Sequence, residues 1–104
     1  MTSASRIALA LAISAFATAA SASDALVAKY ACVACHQADR KAVGPSWIDI
    51  AAKYADGSKT REQLAESIRK GGAGKWGAVP MPPQSAVNEA DAQALAQWVL
   101  SRKK

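Results

Sequence analysis

The run Cys32-Val33-Ala34-Cys35-His36 constrains this chain more than any other part of its sequence. Cys-x-x-Cys-His is the attachment motif of a c-type haem. The two intervening residues place the sulfurs on neighbouring helical turns, close enough to bond both vinyl groups on one side of a porphyrin. The histidine that follows can reach the iron from one face. The motif therefore predicts one covalently attached haem c, with Cys32 and Cys35 as thioether residues and His36 as an axial iron ligand.

Three other kinds of site use similar residues. Structural zinc needs about four protein ligands, whereas the chain has only two cysteines and one histidine. A thioredoxin-like dithiol is surrounded by alternating strands and helices, and the sequence shows no strand pattern. A structural disulfide is possible in an exported protein, although Cys-x-x-Cys closes a very short loop. The haem is the favoured interpretation.

Residues 1–22 are typical of a secretory signal peptide. Arg6 supplies the positive end, residues 7–20 are apolar, and Ala20-Ser21-Ala22 is a small-residue cleavage site. The apolar run is shorter than the ~20 residues that a membrane span needs. We therefore expect residues 23–104 to form one soluble domain that is exported to the periplasm and has no stable membrane insertion after cleavage.

The charge pattern argues against a nucleic-acid partner. The sequence has thirteen Lys and Arg residues and eight Asp and Glu residues. Loss of Arg6 with the signal would leave twelve basic residues and a net charge of about +4. A nucleic-acid binder of this size should carry a basic stripe. Here the charges are interspersed, apart from residues 102–104.

Helical spacing of apolar residues predicts an all-α fold with about four helices. They are expected near residues 23–35, 46–55, 60–70 and 88–102. The expected N-caps are Ser23 or Asp24, Ser46, Thr60 in a capping box with Gln63, and Asn88. The loop over residues 71–87 is long, and such loops are uncommon unless functional. A domain of about 82 residues is near the lower limit for an unaided core, so we expect the helices to wrap around the haem.

Met81 is the candidate for the second axial ligand. It is the only methionine besides Met1, and it lies in Val79-Pro80-Met81-Pro82-Pro83. A lone methionine more often fills space in a core. Here a haem is already implied, prolines stiffen the loop, and no second histidine competes. A thioether ligand would favour reduced iron and raise the potential.

Two further residues have two interpretations each. A metal-bound histidine usually donates its other ring N–H to an acceptor, and the Pro45 carbonyl is a candidate, but Gly44-Pro45 is equally an ordinary helix-breaking turn. The Trp76 indole N–H can donate to a haem propionate, or the ring can simply pack in the core.

The whole region after the signal resembles the small bacterial class I cytochromes c of the cytochrome c-551 (cytochrome c8) family. The matching segments, in order, are Cys32-Val33-Ala34-Cys35-His36, Val43-Gly44-Pro45, Asp49-Ile50-Ala51-Ala52-Lys53-Tyr54, Trp76-Gly77-Ala78-Val79-Pro80-Met81-Pro82-Pro83 and Leu95-Ala96-Gln97-Trp98-Val99-Leu100-Ser101. Cytochromes c′ differ in layout, because their motif lies near the C-terminus and they lack the methionine.

The resemblance implies a class I cytochrome c fold around one haem, with His36 and Met81 as axial ligands. It also implies a Pro45 carbonyl bond to His36 and a Trp76 bond to a propionate. Redox partners are then expected to dock over an exposed haem edge that is ringed by small apolar residues. These are Val33, Ala34, Ala42, Val43, Ala78 and Val79.

Two positions depart from the family pattern. Ser67 stands where the family often has an arginine near the propionates, and neither Arg69 nor Lys70 is an evident replacement. Gln84 stands where many members have an asparagine close to the methionine sulfur. The propionate environment and the seating of Met81 are the features affected.

The predicted function is that of a monomeric, periplasmic one-electron carrier, not an enzyme. Family resemblance suggests a nitrite reductase or a terminal oxidase as acceptor. One alternative is a dedicated electron-accepting haem subunit of a periplasmic dehydrogenase. A ligand-binding or peroxidatic haem protein needs an open iron site and distal acid–base groups, and is disfavoured because the sole histidine and Met81 occupy both axial positions.

Overall fold

The computed structural model of the chain describes residues 19–103. It contains four α-helices and one 3-10 turn, and the described residues form no strand. The elements, in chain order, are α1 (Ala19–Lys29), the 3-10 turn (Cys32–Ala34), α2 (Trp47–Lys53), α3 (Arg61–Lys70) and α4 (Glu89–Leu100). The expected all-α fold is thus observed.

The first helix differs from the expectation at both ends. It already includes Ala19, the first residue that the structure describes, and so extends past Ser23 on the N-terminal side. Ser23 and Asp24 are therefore helix residues and not caps. The helix ends at Lys29 because Ala31 adopts a left-handed conformation with φ 55°, which breaks the helical hydrogen-bond pattern before the cysteines.

The other three helices begin where their caps predict. Ser46 Oγ accepts from the Asp49 N–H at 3.0 Å. Thr60 and Gln63 form the expected capping box, and Asn88 caps α4 through the Asp91 N–H at 2.8 Å. Each cap satisfies backbone donors that the first turn leaves unpaired, so these boundaries depend on local sequence alone.

Helix α4 is the centre of the fold, since α1, α2 and α3 all pack against it. Ala92 and Ala96 are completely buried, and their small side chains let the neighbouring helices approach closely. Leu95, Trp98 and Val99 complete its buried face. Val27 of α1, Ile50 of α2 and Leu64 of α3 join the same core.

The segment between α3 and α4 is irregular but anchored. Gly72 and Met81 exchange two backbone hydrogen bonds, of 3.0 and 2.8 Å, in an isolated antiparallel bridge. The Gln84 N–H donates to the Ile68 carbonyl of α3 at 3.2 Å. The loop therefore returns to α3 and places Met81 at a fixed point along it.

Residues 1–18, which make up most of the predicted signal peptide, lie outside the described residues. The predicted cleavage point after Ala22 falls inside α1. Within residues 19–103, no helix has the length and apolar character that a membrane crossing needs.

Candidate functional site

A cavity of about 570 Å³ opens between the 3-10 turn, α2, α3 and the loop that follows α3. This volume is within the range of small-molecule and cofactor pockets. Its lining is mainly apolar and includes Trp47, Ile50, Leu64, Ile68 and Val99. The same cavity is lined by all six residues that the sequence predicts around a haem: Cys32, Cys35, His36, Pro45, Trp76 and Met81.

The 3-10 turn presents both cysteines to this cavity. Cys35 N–H donates to the Cys32 carbonyl at 3.2 Å, and His36 N–H donates to the same carbonyl at 3.0 Å. Residues three apart lie on one face of a 3-10 helix, so both sulfurs are carried on one side of the turn. Both cysteines are half-buried free thiols, and burial raises the pKa of the Cys32 thiol.

The imidazole of His36 is fixed by two contacts. Its Nδ1 lies 2.7 Å from the Pro45 carbonyl oxygen, and a hydrogen bond there requires Nδ1 to carry the proton. The Nε2 lone pair is then free for a metal. Trp47 stacks against the imidazole, with ring centroids 4.6 Å apart. The Pro45 carbonyl thus lies where an acceptor for the imidazole N–H is expected, within the turn that Gly44 and Pro45 form.

The packing behind His36 includes a chain of contacts that sequence reasoning missed. Trp47 meets Trp98 of α4 edge to face at 5.3 Å, and the Trp98 Nε1 donates to Asp24 Oδ1 of α1 at 3.0 Å. The chain thus connects the imidazole to α2, α4 and α1. Helical spacing identifies Trp47 and Trp98 as inward-facing, but nothing in the sequence pairs them with each other or with His36.

Gly44 lies unusually close to His36. A Cβ at position 44 would lie 2.8 Å from His36 Cε1 and 3.0 Å from Nδ1. The Gly44 N–H donates to the Cys35 carbonyl at 2.8 Å. The chain therefore passes close to the Cε1–Nδ1 edge of the imidazole, and a side chain at position 44 would force the ring to move.

Met81 is half-buried at the cavity, and its backbone is held by the bridge to Gly72. Gly71, which ends α3, has φ +69°. A Cβ at Gly71 would overlap the Met81 carbonyl oxygen and lie 2.8 Å from Pro82 C. Gln84, the departure near Met81, turns its amide to the Pro82 carbonyl at 2.9 Å.

Trp76 lines the cavity and also packs against the core. Its ring meets Tyr54 edge to face at 6.4 Å, and the Lys53 ammonium lies 4.4 Å from its centroid. Within residues 19–103, Trp98 Nε1 has a carboxylate partner, whereas Trp76 Nε1 donates to no protein group. The packing interpretation of Trp76 is therefore observed, and its indole donor is available to a ligand.

Arg69 and Lys70 do not take the place of an arginine at Ser67. Arg69 bonds the Val87 carbonyl and Glu89, and Lys70 bonds Glu66. The charged residues that line the cavity are instead Lys59 and Lys75. Sequence reasoning missed Lys59, which lies before the Thr60 cap and gives no signal by spacing.

Three exposed valines lie in the cavity lining or next to it in sequence, and we call Val33, Val43 and Val79 the valine rim. Val43 and Val79 line the cavity, while Val33 lies between the two cysteines. Among residues 19–103 they are the large apolar side chains with high exposure, at 52%, 55% and 62%. Ala34, Ala42 and Ala78, the smaller residues predicted around the haem edge, are also exposed.

The cavity suits a haem rather than a zinc ion. Within the described part of the chain, no three His, Cys, Asp or Glu side chains are grouped to hold one metal ion. The cavity instead combines two thiols, an oriented imidazole, a thioether and two ammonium groups with apolar walls. These match the vinyl groups, iron, carboxylates and flat apolar ring of a haem.

Comparison with known proteins agrees with this assignment. The family described as cytochrome c oxidase, cbb3-type, subunit III matches residues 18–99. Cytochrome c-552 of Nitrosomonas europaea is 51% identical over 78 residues, which cover 75% of this chain and 76% of that protein. Cytochrome c-551 of Pseudomonas aeruginosa is 51% identical over 72 residues, which cover 69% of this chain and 68% of that protein.

The fold matches a solved structure of the same kind. The crystal structure of wild-type Nitrosomonas europaea cytochrome c552 aligns with a TM-score of 0.74 at 50% identity, covering 77% of this chain and 99% of that one. This chain therefore belongs to the family of small class I cytochromes c that includes cytochromes c-551 and c-552, which are electron carriers with one covalently attached c-type haem.

Proposed function

We propose that this chain is a periplasmic one-electron carrier in which His36 and Met81 are the two axial ligands of the haem iron. The observation that carries the proposal is that one apolar cavity is lined by His36, Met81 and both cysteines of the motif. The bound haem supplies the chemistry, a one-electron change between ferric and ferrous iron.

The protein's part is to keep both ligands in place in both redox states. The Pro45 carbonyl and Trp47 fix the imidazole, and the bridge to Gly72 fixes the backbone of Met81. When ligands stay in place, little reorganisation opposes electron transfer. A sulfur ligand also favours ferrous iron and raises the potential.

The valine rim is the proposed contact surface for redox partners. An exposed apolar patch surrounded by polar residues is typical of a protein interaction site. The rim carries no charge, so a partner can approach the haem edge without removing water from an ion. Lys41 and Lys75 are exposed, and as long-range charges they act mainly on the rate of encounter.

The test uses haem-loaded protein that has been exported and purified without its predicted signal peptide. We expect a reversible one-electron redox titration, no binding of carbon monoxide by the reduced form, and elution as a monomer in gel filtration. Rapid carbon monoxide binding would indicate an open iron site and contradict the proposal. Stable co-elution with a dehydrogenase would favour the dedicated-subunit alternative over a free carrier.

A further inference from the structure

Three lysines lie close to Trp76 and Tyr54, and we call Lys53, Lys59 and Lys75 the lysine cluster. Lys59 and Lys75 line the cavity, whereas Lys53 does not. The Lys59 Nζ donates to Ser67 Oγ at 2.8 Å and lies 5.1 Å from the Tyr54 ring centroid. The Lys53 Nζ donates to the Lys75 carbonyl at 3.3 Å. Lys59 is half-buried, while Lys53 and Lys75 are exposed.

This cluster has no carboxylate partner among the described residues. The ion pairs of residues 19–103 join Arg61 with Glu62, Arg69 with Glu89, and Lys70 with Glu66. The cavity lining includes Lys59 and Lys75 but no Asp or Glu. Burial, together with the neighbouring Lys75 and Lys53 ammonium groups, holds the pKa of Lys59 below its usual value. An anion near the half-buried Lys59 ammonium would offset its repulsion by the two neighbouring ammonium groups.

Haem carries two propionate carboxylates, and a haem bound in the cavity would bring these anions close to its lining. Of the two lysines in the cavity lining, Lys59 is the more buried, and its Nζ is held by the Ser67 hydroxyl. Trp76, with its free indole donor, lines the same cavity. Charge-assisted hydrogen bonds to a carboxylate are stronger than neutral ones, so a propionate is the natural partner of this ammonium group.

We propose that Lys59, positioned by Ser67, is the cationic partner of a haem propionate. The proposal rests on the haem site of the proposed function, but not on which residue is the second axial ligand. A cation beside the propionate offsets negative charge near the iron. Because uncompensated negative charge favours ferric iron, loss of the cation should lower the reduction potential.

The experiment compares reduction potentials of haem-loaded variants at low ionic strength. At the midpoint potential of the wild-type protein, Lys59→Gln should lower the ratio of ferrous to ferric protein at least threefold. For a one-electron couple this corresponds to a fall of about 30 mV in reduction potential. Lys53→Gln is the matched control, because it removes the same charge from the same cluster but from a residue that does not line the cavity. Lys53→Gln should lower the reduction potential by less than half the shift that Lys59→Gln causes.

Two rescue variants separate a positioned cation from a general structural role. Lys59→Arg should keep the wild-type potential. Adding Ser67→Arg to Lys59→Gln should restore it, because position 67 adjoins the place that the Lys59 ammonium occupies. Equal shifts in Lys59→Gln and Lys53→Gln, or failure of both rescues, would overturn the proposal.

The outcome is distinguishable from failure of the proposed function. If the reduced wild-type protein binds carbon monoxide, the proposed ligation by Met81 is wrong. The comparison of Lys59→Gln with Lys53→Gln remains valid, because it does not depend on the second axial ligand. If Lys59→Gln fails to load haem, the crystal structure of haem-loaded wild-type protein decides. A Lys59 Nζ within hydrogen-bond distance of a propionate oxygen supports the proposal, and a separation beyond about 6 Å, where ion pairing becomes weak, rejects it.

Discussion

His36 is positioned by the turn at Pro45 and by the start of α2 at Trp47. The Pro45 carbonyl fixes its protonated nitrogen at 2.7 Å, and Trp47 covers one face of the ring. The carbonyl contact follows from a general rule about metal-bound histidines, so the sequence offered it as one of two interpretations of Pro45. The need for glycine at position 44 could not be predicted from the sequence, because it depends on how closely the chain at Gly44 passes the imidazole ring.

Gly44→Ala should displace the His36 ring. The added Cβ would lie 2.8 Å from Cε1, and overpacking of this kind costs about 1–3 kcal/mol. We expect the free energy of unfolding of the haem-loaded protein to fall by that amount in denaturant titrations. Gly72→Ala is the control, since a Cβ there meets nothing within 4 Å. Equal stability of the two variants would show that the contact is not restrictive.

At the scale of elements, the beginnings of α2, α3 and α4 were predictable and the end of α1 was not. Ser46, Thr60 and Asn88 each accept from the N–H three residues further on, so their caps can be identified in sequence. The break at Ala31 places a non-glycine residue in a left-handed conformation. Nothing in the local sequence favours that conformation, so the separate 3-10 turn became evident only in the structure.

The loop after α3 depends on Gly71. An alanine there would need a positive φ of 69° and would overlap the Met81 carbonyl oxygen. Backbone atoms cannot move aside as a flexible side chain can, so we expect Gly71→Ala to cost about 3 kcal/mol or more.

The same substitution should loosen Met81. We expect the reduced Gly71→Ala protein to bind carbon monoxide, as measured by visible absorption, whereas Gly72→Ala should not. Neighbouring glycines make this a matched pair, because only one of them has a positive φ and a close backbone contact. No carbon monoxide binding by Gly71→Ala would mean that the loop tolerates the change.

The whole molecule is organised around its cavity. α4 supplies a small apolar core with α1, α2 and α3, and a haem held in the cavity would add apolar surface to that core. Length and the attachment motif predict this arrangement, because a domain this small rarely stabilises itself with protein atoms alone. The Lys59–Ser67 contact was not predictable, since it joins a residue before α3 to one in its middle.

Val43→Glu should slow electron transfer to the physiological acceptor even at high salt. It places a charge within the valine rim, whereas electrostatic steering is screened over about 8 Å at physiological ionic strength. Stopped-flow oxidation across a salt series measures the effect. Ala90→Glu is the control, because it adds the same charge at an exposed position in the first turn of α4, where helices favour acids. If Val43→Glu differs from the control only at low salt, docking is electrostatic and the rim has no special role.

The proposed ligation of the iron by Met81, together with His36, is tested by the far-red absorption band that methionine sulfur gives to ferric haem. We expect this band in the oxidised wild-type protein and its complete loss in Met81→Ala, with the covalent haem spectrum of the reduced form retained. The potential of the variant should also fall, because the thioether ligand that favours ferrous iron is gone. Absence of the band from the wild-type protein, or its persistence in Met81→Ala, would show that Met81 is not a ligand of the iron.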